Sequence, residues 1–215
     1  LQWPLQQTDD VLLVFLEGGT GVGKSTLTWK LQKMGYSVYF EGFVELCKQN
    51  PHIPPTSAAM TLMWSSRLMS HMEHVRQQHQ EGTVKDGVAF FDRSFLTPAV
   101  YARGLPVADF MMQVMTEVRE SYSTLTVLCE AEEYAMLKQI SGRMYDAAPQ
   151  EKEVRTALGE EDSDFQREVL RRYEELEEEG HVDLIVDTSS SKLAIASLLH
   201  KLGIDFMAQN DGPDA

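Results

Sequence analysis

Cysteine is scarce in this chain, which has 215 residues and only two cysteines, Cys47 and Cys129. Their spacing fits neither a disulfide framework nor a C-x-x-C metal or redox motif, so we expect two buried thiols in a reducing compartment. The sequence therefore predicts a cytoplasmic protein, with an organellar targeting segment on a longer precursor as the open alternative.

Positive charge is also in short supply. Nineteen Lys and Arg residues stand against 33 Asp and Glu residues, and the formal net charge is −14. A protein that follows a nucleic-acid backbone needs clustered cations, so this balance argues against a nucleic-acid partner. A small anionic ligand needs only a few local donors and stays compatible with the charge. No apolar run approaches the roughly 20 residues of a membrane-spanning helix, so we expect no membrane partner.

The chain instead alternates short apolar segments with longer helical patterns. The apolar segments predict strands near 11–16, 37–41, 87–92, 124–130 and 182–187,. Helical patterns fill most of the intervals, at 24–34, 57–80, 107–120, 132–142, 163–179 and 190–202. This alternation predicts an α/β fold with a five-stranded parallel sheet and helices on both faces. We expect one domain over 11–205, with an N-terminal extension at 1–10 and a flexible tail at 206–215.

The strongest motif is the stretch FLEGGTGVGKST at residues 15–26. Gly18, Gly23, Lys24 and Ser25 fit the pattern G-x-x-x-x-G-K-S/T, and the stretch falls between a predicted strand and a predicted helix. The glycines let main-chain N–H groups point at phosphate oxygens. Lys24 can reach the outer phosphates, and the Ser25 hydroxyl can join a Mg²⁺ shell. The sequence therefore predicts a nucleoside triphosphate site formed by Gly18, Gly19, Thr20, Gly21, Val22, Gly23, Lys24, Ser25 and Thr26.

The segment after the third strand separates a kinase from a GTPase switch. A guanine-reading N/T-K-x-D signature would follow a late strand, but the nearest match, TVKD at 83–86, precedes the third strand. That strand is followed by FFDRSFLTPAVYARG, without a D-x-x-G motif. Asp92 and Arg93 are then expected at the ligand edge of the sheet. We interpret Asp92 as a residue near the metal or the acceptor, and Arg93 as a phosphate clamp.

Four stretches occur in the same order as in the thymidylate kinase and deoxynucleoside kinase superfamily: FLEGGTGVGKST, TLMWSSRLMSHMEHV, FFDRSFLTPAVYARG and FQREVLRRYEEL. Residues 11–202 resemble that superfamily. The resemblance implies a three-layer P-loop kinase fold that uses ATP and Mg²⁺, with Lys24 as a catalytic residue and Ser25 and Asp92 at the metal. It also implies a lid at about 143–162 that closes over ATP. Family members often dimerise through helices beside the acceptor site. The methionines that fit either such a homodimer face or the core are Met111, Met112 and Met115.

The resemblance also implies roles on the acceptor side. Arg67 and Arg93 would face the acceptor, and Tyr101 would flank its nucleoside. Arg143 would be a lid arginine that contacts the transferring phosphoryl group, and Arg155 is a second candidate for that role.

Three functions stay open on the sequence. Arg67, Asp92–Arg93 and the Tyr101 spacing favour a pyrimidine deoxynucleoside monophosphate as acceptor, which is our first expectation. Thymidylate kinases usually carry an acid at the position of Thr20 and an arginine near Phe40. Glu41 instead stands where deoxynucleoside kinases keep their general base, which makes a nucleoside 5′-hydroxyl the alternative acceptor. These departures and the acid-rich lid also fit a nucleotide-binding protein with little turnover.

Overall fold

Five parallel strands form the centre of the chain in the computed structural model, which describes residues 10–102 and 105–205. In chain order the strands are β1 (Leu12–Glu17), β2 (Ser37–Tyr39), β3 (Val88–Asp92), β4 (Thr124–Glu130) and β5 (Leu184–Asp187). Their spatial order is β2-β3-β1-β4-β5, and every neighbouring pair is parallel. β1 therefore lies in the middle of the sheet, where all six of its residues are buried. The predicted α/β fold is confirmed.

Helices cover both faces of this sheet. In chain order they are α1 (Lys24–Lys33), α2 (Phe43–Gln49), α3 (Ala58–Gln80), α4 (Leu96–Tyr101), α5 (Pro106–Ser121), α6 (Glu133–Asp146), α7 (Pro149–Ala157), α8 (Ser163–Glu178) and α9 (Ser191–Lys201). Because side chains of a strand alternate between its faces, Phe15 of β1 belongs to a core cluster with buried residues of α3, α5 and α8, while Val14 belongs to a second cluster with residues of α1, α6 and α9,. The result is a three-layer arrangement with one apolar core on each side of the sheet.

The methionines of α5 belong to one of these cores. Met111 and Met115 are each 1% exposed, and Met112 packs against the same core cluster. Core packing therefore accounts for these three side chains. The homodimer stays a prediction, and these methionines do not support it.

Short helices are the main difference between the predicted and the observed elements. α2 and α4 have seven and six residues, too few to show a helical period in the sequence,. The stretch CKQNPHIPPTS at 47–57, whose three prolines predict a loop, begins inside α2, so the loop is shorter than predicted,. Residues 143–162 lack strong periodicity in the sequence and so predict a mobile segment, but they contain the end of α6 and all of α7. The sequence pattern does not indicate α7, because this helix buries one residue, Val154, and so has almost no apolar stripe,.

The start of α8 also differs from the prediction. The sequence S-x-x-Q at Ser163 and Gln166 predicts a capping box at the helix start, and this capping box does not form,. Asp162 is the N-cap, because its Oδ1 accepts the N–H groups of Asp164 and Phe165, both at 3.0 Å,. The Gln166 amide instead donates to the carbonyl oxygen of Gly159 at 3.2 Å, which ties the helix to the turn before it.

The predicted N-terminal extension at 1–10 lies outside the described residues apart from Asp10, and the predicted tail at 206–215 lies wholly outside them. Among the helices of the described ranges, none has both the length and the apolar character needed to cross a bilayer.

Candidate active site

The polar residues singled out in the sequence converge at the carboxyl ends of the strands, the edge where parallel sheets bind ligands. The glycine loop follows β1, Glu41 follows β2, and Asp92 ends β3. β1 and β3 are neighbours, and the register pairs Leu16 with Asp92. Sheet order alone therefore brings the loop and the Asp92–Arg93 pair side by side.

The glycine loop is held between β4 and α6. A Cβ atom on Gly18 would lie 2.4 Å from the carbonyl oxygen of Cys129, and one on Gly21 would lie 2.7 Å from that of Met136. Both residues also have a positive φ, 130° at Gly18 and 83° at Gly21. A side chain at either position would collide with backbone, so the close approach of the loop to its neighbours requires glycine.

Lys24 lies folded across this loop. Its Nζ donates to the carbonyl oxygens of Gly18 at 2.7 Å and Gly19 at 2.8 Å. Burial, followed by the nearby charge of Arg93, lowers the pKa of Lys24 to about 8, while Asp92 opposes the shift. A bound triphosphate would supply negative charge beside the amine and raise this pKa again.

Ser25 and Asp92 form a second polar contact. The Ser25 hydroxyl donates to Oδ2 of Asp92 at 3.0 Å. Within the described residues, Oδ1 of Asp92 is buried and has no hydrogen-bond partner. Burial raises the pKa of Asp92, against the opposing charges of Lys24 and Arg93 and the hydrogen bond from Ser25.

These two side chains fit a magnesium ion. Mg²⁺ prefers oxygen ligands and is usually held by one or two protein groups, with substrate phosphates and water completing its shell. A buried carboxylate oxygen without a partner, next to a hydroxyl, supplies that donor set. Across residues 10–102 and 105–205, no group of three or more His, Cys, Asp or Glu side chains could hold a metal on protein ligands alone.

Arg93 and Glu41 form an ion pair beside Asp92. Nε of Arg93 lies 2.8 Å from Oε1 of Glu41, although its N–H does not point at an acceptor, so the contact is electrostatic rather than an aligned hydrogen bond. Arg93 is 6% exposed, and its guanidinium also reaches the carbonyl oxygen of Gly18 at 3.3 Å. Burial opposes the charge of Arg93, but Glu41 and other acidic neighbours hold its pKa well above the usual value.

Two adjoining cavities meet at Thr20, Glu41 and Arg93, which line both. The smaller, of about 40 Å³, is polar and contains Lys24, Ser25 and Asp92. The larger, of about 440 Å³, has aromatic walls formed by Phe43, Trp64, Tyr101 and Phe165. Its volume falls in the range of about 300–1,000 Å³ typical of small-molecule sites. The arrangement joins a phosphate-sized space to a larger apolar space through an acid–guanidinium pair.

Most of the other predicted site residues also lie here. Arg143 lines the smaller cavity. Tyr101 lines the larger one, and its hydroxyl lies 3.1 Å from Oγ1 of Thr20. Arg67 lines a separate small cavity with Glu41 and Asp92, and its guanidinium packs against Gly42. Val22 is 1% exposed and belongs to the core, so only its main chain can contact a ligand.

The acid-rich segment borders the larger cavity. Its turn at 157–160 contributes to the cavity wall, and α7 is joined to α2 by a Lys48–Glu151 contact of 3.8 Å. Arg155, our second lid candidate, pairs instead with Glu151 at 2.8 Å and with both carboxylate oxygens of Glu160 at 2.9 Å. One arginine therefore balances two of the acids, and one of these, Glu160, lines the larger cavity.

The pairing of Arg155 leads to a stability prediction. Glu160 is 7% exposed, so the Arg155→Met variant would leave a buried carboxylate without its cation. We expect a loss of about 3 kcal/mol in the free energy of unfolding, measured by urea denaturation. The double variant Arg155→Met/Glu160→Gln should recover most of that loss. A single variant as stable as the wild type would mean that the pair contributes little to the wall.

Sequence reasoning missed several residues around these cavities. Trp64 and Phe165 form walls of the larger cavity, and Gln139 lines the smaller one. Glu17 accepts hydrogen bonds beneath the site. Of these residues, only Glu17 could have been identified from the sequence, because a carboxylate at the end of an otherwise apolar, buried strand is unusual unless it is paired.

Solved structures share this architecture. Deoxyadenosine kinase from M. mycoides with bound dATP superposes with a TM-score of 0.58 at 17% identity, covering 89% of this chain and 98% of that chain. The same enzyme with dCTP gives 0.53 and 15%, with the same coverage. The YorR protein of Bacillus subtilis, in complex with phosphorylated GDP, gives 0.52 and 18%, covering 89% and 95%. At these identities the likeness establishes a P-loop kinase-like fold.

The sequence also matches one protein family directly. Residues 13–175, well over half of the chain, match the family described as AAA domain. The matched range begins in β1 and ends in α8, so it contains the glycine loop, the Asp92–Arg93 pair and Glu41. No curated protein matches the sequence significantly. The chain therefore belongs to the AAA domain family.

Proposed function

We propose that this protein is a kinase that transfers the γ-phosphoryl group of ATP to the 5′-hydroxyl of a deoxynucleoside, with Glu41 as the general base. The observation that carries the proposal is the Glu41–Arg93 ion pair at the junction of the two cavities. The likeness of the fold to a deoxyadenosine kinase supports the same reading. The sequence favoured a deoxynucleoside monophosphate as the acceptor. We propose a deoxynucleoside instead because of the arrangement of charges in the site.

The donor side of the site would bind ATP. Main-chain N–H groups of the glycine loop and the amine of Lys24 would hold the phosphates, and Arg143 would add positive charge at the transferring group. Ser25 and Asp92 would hold Mg²⁺, which supplies positive charge to the phosphate oxygens when it is bound. This division of work is typical of phosphoryl transfer, in which alignment and charge provide most of the acceleration.

The acceptor side would bind an uncharged nucleoside. Its base would occupy the aromatic larger cavity, which leaves the 5′-hydroxyl at the junction beside Glu41. The carboxylate would take the hydroxyl proton while the oxygen forms a bond to the γ-phosphorus. The bond between that phosphorus and the β,γ-bridging oxygen would break, and ADP would leave. Arg93 would orient Glu41 and stabilise charge on the transferring group.

A pyrimidine deoxynucleoside monophosphate is the second candidate acceptor. Arg67 favours it, because a guanidinium close to Glu41 and Asp92 could contact an acceptor phosphate. Two like-charged phosphates must be held together in that reaction, so several cations are needed on the acceptor side. Arg93 is already matched by Glu41, which leaves less positive charge for a second phosphate. The nucleoside is therefore the better fit.

An acceptor panel tests the proposal. Purified protein with Mg²⁺ and ATP is incubated with each deoxynucleoside and each deoxynucleoside monophosphate, and ADP formation is followed together with the phosphorylated product. We expect turnover with at least one nucleoside and much less with every monophosphate. Turnover with monophosphates only would overturn the proposal in favour of the second candidate. Tight ATP binding without any product would indicate a binding protein that lacks turnover.

A further inference from the structure

Glu17 is a buried carboxylate directly beneath the candidate active site. It is the last residue of β1 and has no solvent exposure. Its Oε1 accepts the main-chain N–H and the hydroxyl of Ser94, both at 2.6 Å. Its Oε2 accepts the hydroxyls of Thr97 and Tyr173, both at 2.7 Å. Four donors, three from Ser94 and Thr97 and one from Tyr173 of α8, therefore converge on one side chain, which uses all of its acceptor capacity,.

The contacts of Oε1 fix the backbone next to Arg93. Arg93 has a φ of 84°, a left-handed conformation that is unfavourable for a residue with a side chain,. Such a conformation persists only where the surrounding structure imposes it. The N–H of Arg93 donates to Leu16 at 3.0 Å, and the next N–H, of Ser94, is held by Glu17. β1 therefore anchors both sides of the turn that directs the guanidinium toward Glu41.

The contacts of Oε2 join α4 to α8. Thr97 lies on α4 and Tyr173 on α8, and both hydroxyls donate to Glu17. Burial, followed by the charge of Glu17, raises the pKa of Tyr173 well above its usual value, so the phenol keeps its proton and remains a donor. α4 then continues to Tyr101 in the wall of the larger cavity. The carboxylate of Glu17 thus supports both Arg93 and one wall of the larger cavity.

We propose that Glu17 is a positioning residue that holds Arg93 and α4 in the geometry required for the acceptor. It would act through these groups and touch neither nucleotide nor acceptor, because Ser94, Thr97 and Tyr173 occupy its oxygens. The inference rests on the proposed function in that the acceptor binds beside Arg93. A Glu17 variant is therefore expected to use the acceptor less efficiently, while its glycine loop still binds ATP as in the wild type.

The Glu17→Gln variant tests this role, because it keeps the shape of the side chain and replaces an acceptor oxygen by an amide that donates. We expect kcat/KM for the acceptor to fall about tenfold to a hundredfold, as for the loss of one or two hydrogen bonds to a charged group. ATP affinity, measured by calorimetry, should stay within about twofold. The matched control is Asp183→Asn, which alters a carboxylate that binds Thr126 and Arg119 at the opposite edge of the sheet.

Hydrogen exchange gives a readout that does not depend on turnover. In Glu17→Gln, amides of the segment 93–97 should exchange faster than in the wild type, while those of 19–26 should not change. Ser94→Ala is a second variant in case Glu17→Gln does not fold, since it removes one hydroxyl donor to Glu17 and keeps the N–H contact. The amide of Leu96, which donates to the Ser94 hydroxyl at 3.1 Å, is left out of the exchange comparison for this variant. Unchanged exchange and kcat/KM in both variants would overturn the positioning role, as would an equal loss of ATP affinity. A wild-type protein inactive on every nucleoside would overturn the proposed function instead, and hydrogen exchange would still decide the role of Glu17.

Discussion

The Glu41→Gln variant is expected to phosphorylate nucleosides with a kcat about 10²- to 10⁴-fold below that of the wild type, the usual contribution of a positioned general base. Glutamine keeps the size of the side chain and its place beside Arg93, but it cannot accept the proton of a 5′-hydroxyl. ATP affinity should change little, because Glu41 lies beside Arg93 and not in the glycine loop. Steady-state kinetics with the best nucleoside of the acceptor panel provide the measurement.

Glu45→Gln is the matched control for this experiment. Glu45 is an exposed acid on α2 whose Lys48 contact is 3.7 Å, so its neutralisation should leave kcat unchanged. A Glu41→Gln enzyme with nearly normal nucleoside turnover would show that another group takes the proton. A monophosphate acceptor gives a different outcome, because its phosphate oxygen is already ionised and needs no strong base. The variant would then stay mostly active on that acceptor.

The Lys24→Met variant is expected to lose ATP binding by at least about a hundredfold, and turnover with it, because a buried cation at the outer phosphates has no substitute in the loop. Methionine preserves most of the apolar stem and removes only the charge. Lys33→Met is the control on the same helix, since its amine lies over the ring of Trp29 at 3.7 Å and away from the glycine loop. Normal ATP affinity in Lys24→Met would contradict the assignment of the glycine loop and Lys24 as the triphosphate site.

The lowered pKa of Lys24 adds a proton signature to this experiment. With a pKa of about 8, the amine is about half protonated at pH 8 when the site is empty,. ATP is fully ionised at that pH, and its charge should raise the pKa of Lys24. Binding should then draw up about half a proton per site, which calorimetry in buffers of different ionisation enthalpy detects. No proton uptake would contradict either the lowered pKa of Lys24 in the empty site or the contact of its amine with the phosphates.

The sequence by itself determined the framework and the donor side of the site. An apolar run at 11–16, a glycine loop and a helix start specify a P-loop through local chemistry alone, and alternating elements specify a parallel sheet. In such a sheet the carboxyl ends of the strands share one edge. The order of the motifs was therefore enough to place Asp92 and Arg93 on the same edge of the sheet as Lys24 and Ser25, while their contact depends on β1 and β3 being neighbours,.

Only the tertiary structure decided how the acceptor side is built. The walls of the larger cavity come from α2, α3, α4, α8 and the turn after α7, and no local pattern specifies which side chains of distant elements meet. The Glu41–Arg93 pair and the four donors around Glu17 likewise depend on strand order and on a left-handed turn at Arg93. The physical reason is that a phosphate cradle uses main-chain groups of consecutive residues. An acceptor pocket is made of side chains that only the packing of helices on the sheet brings together.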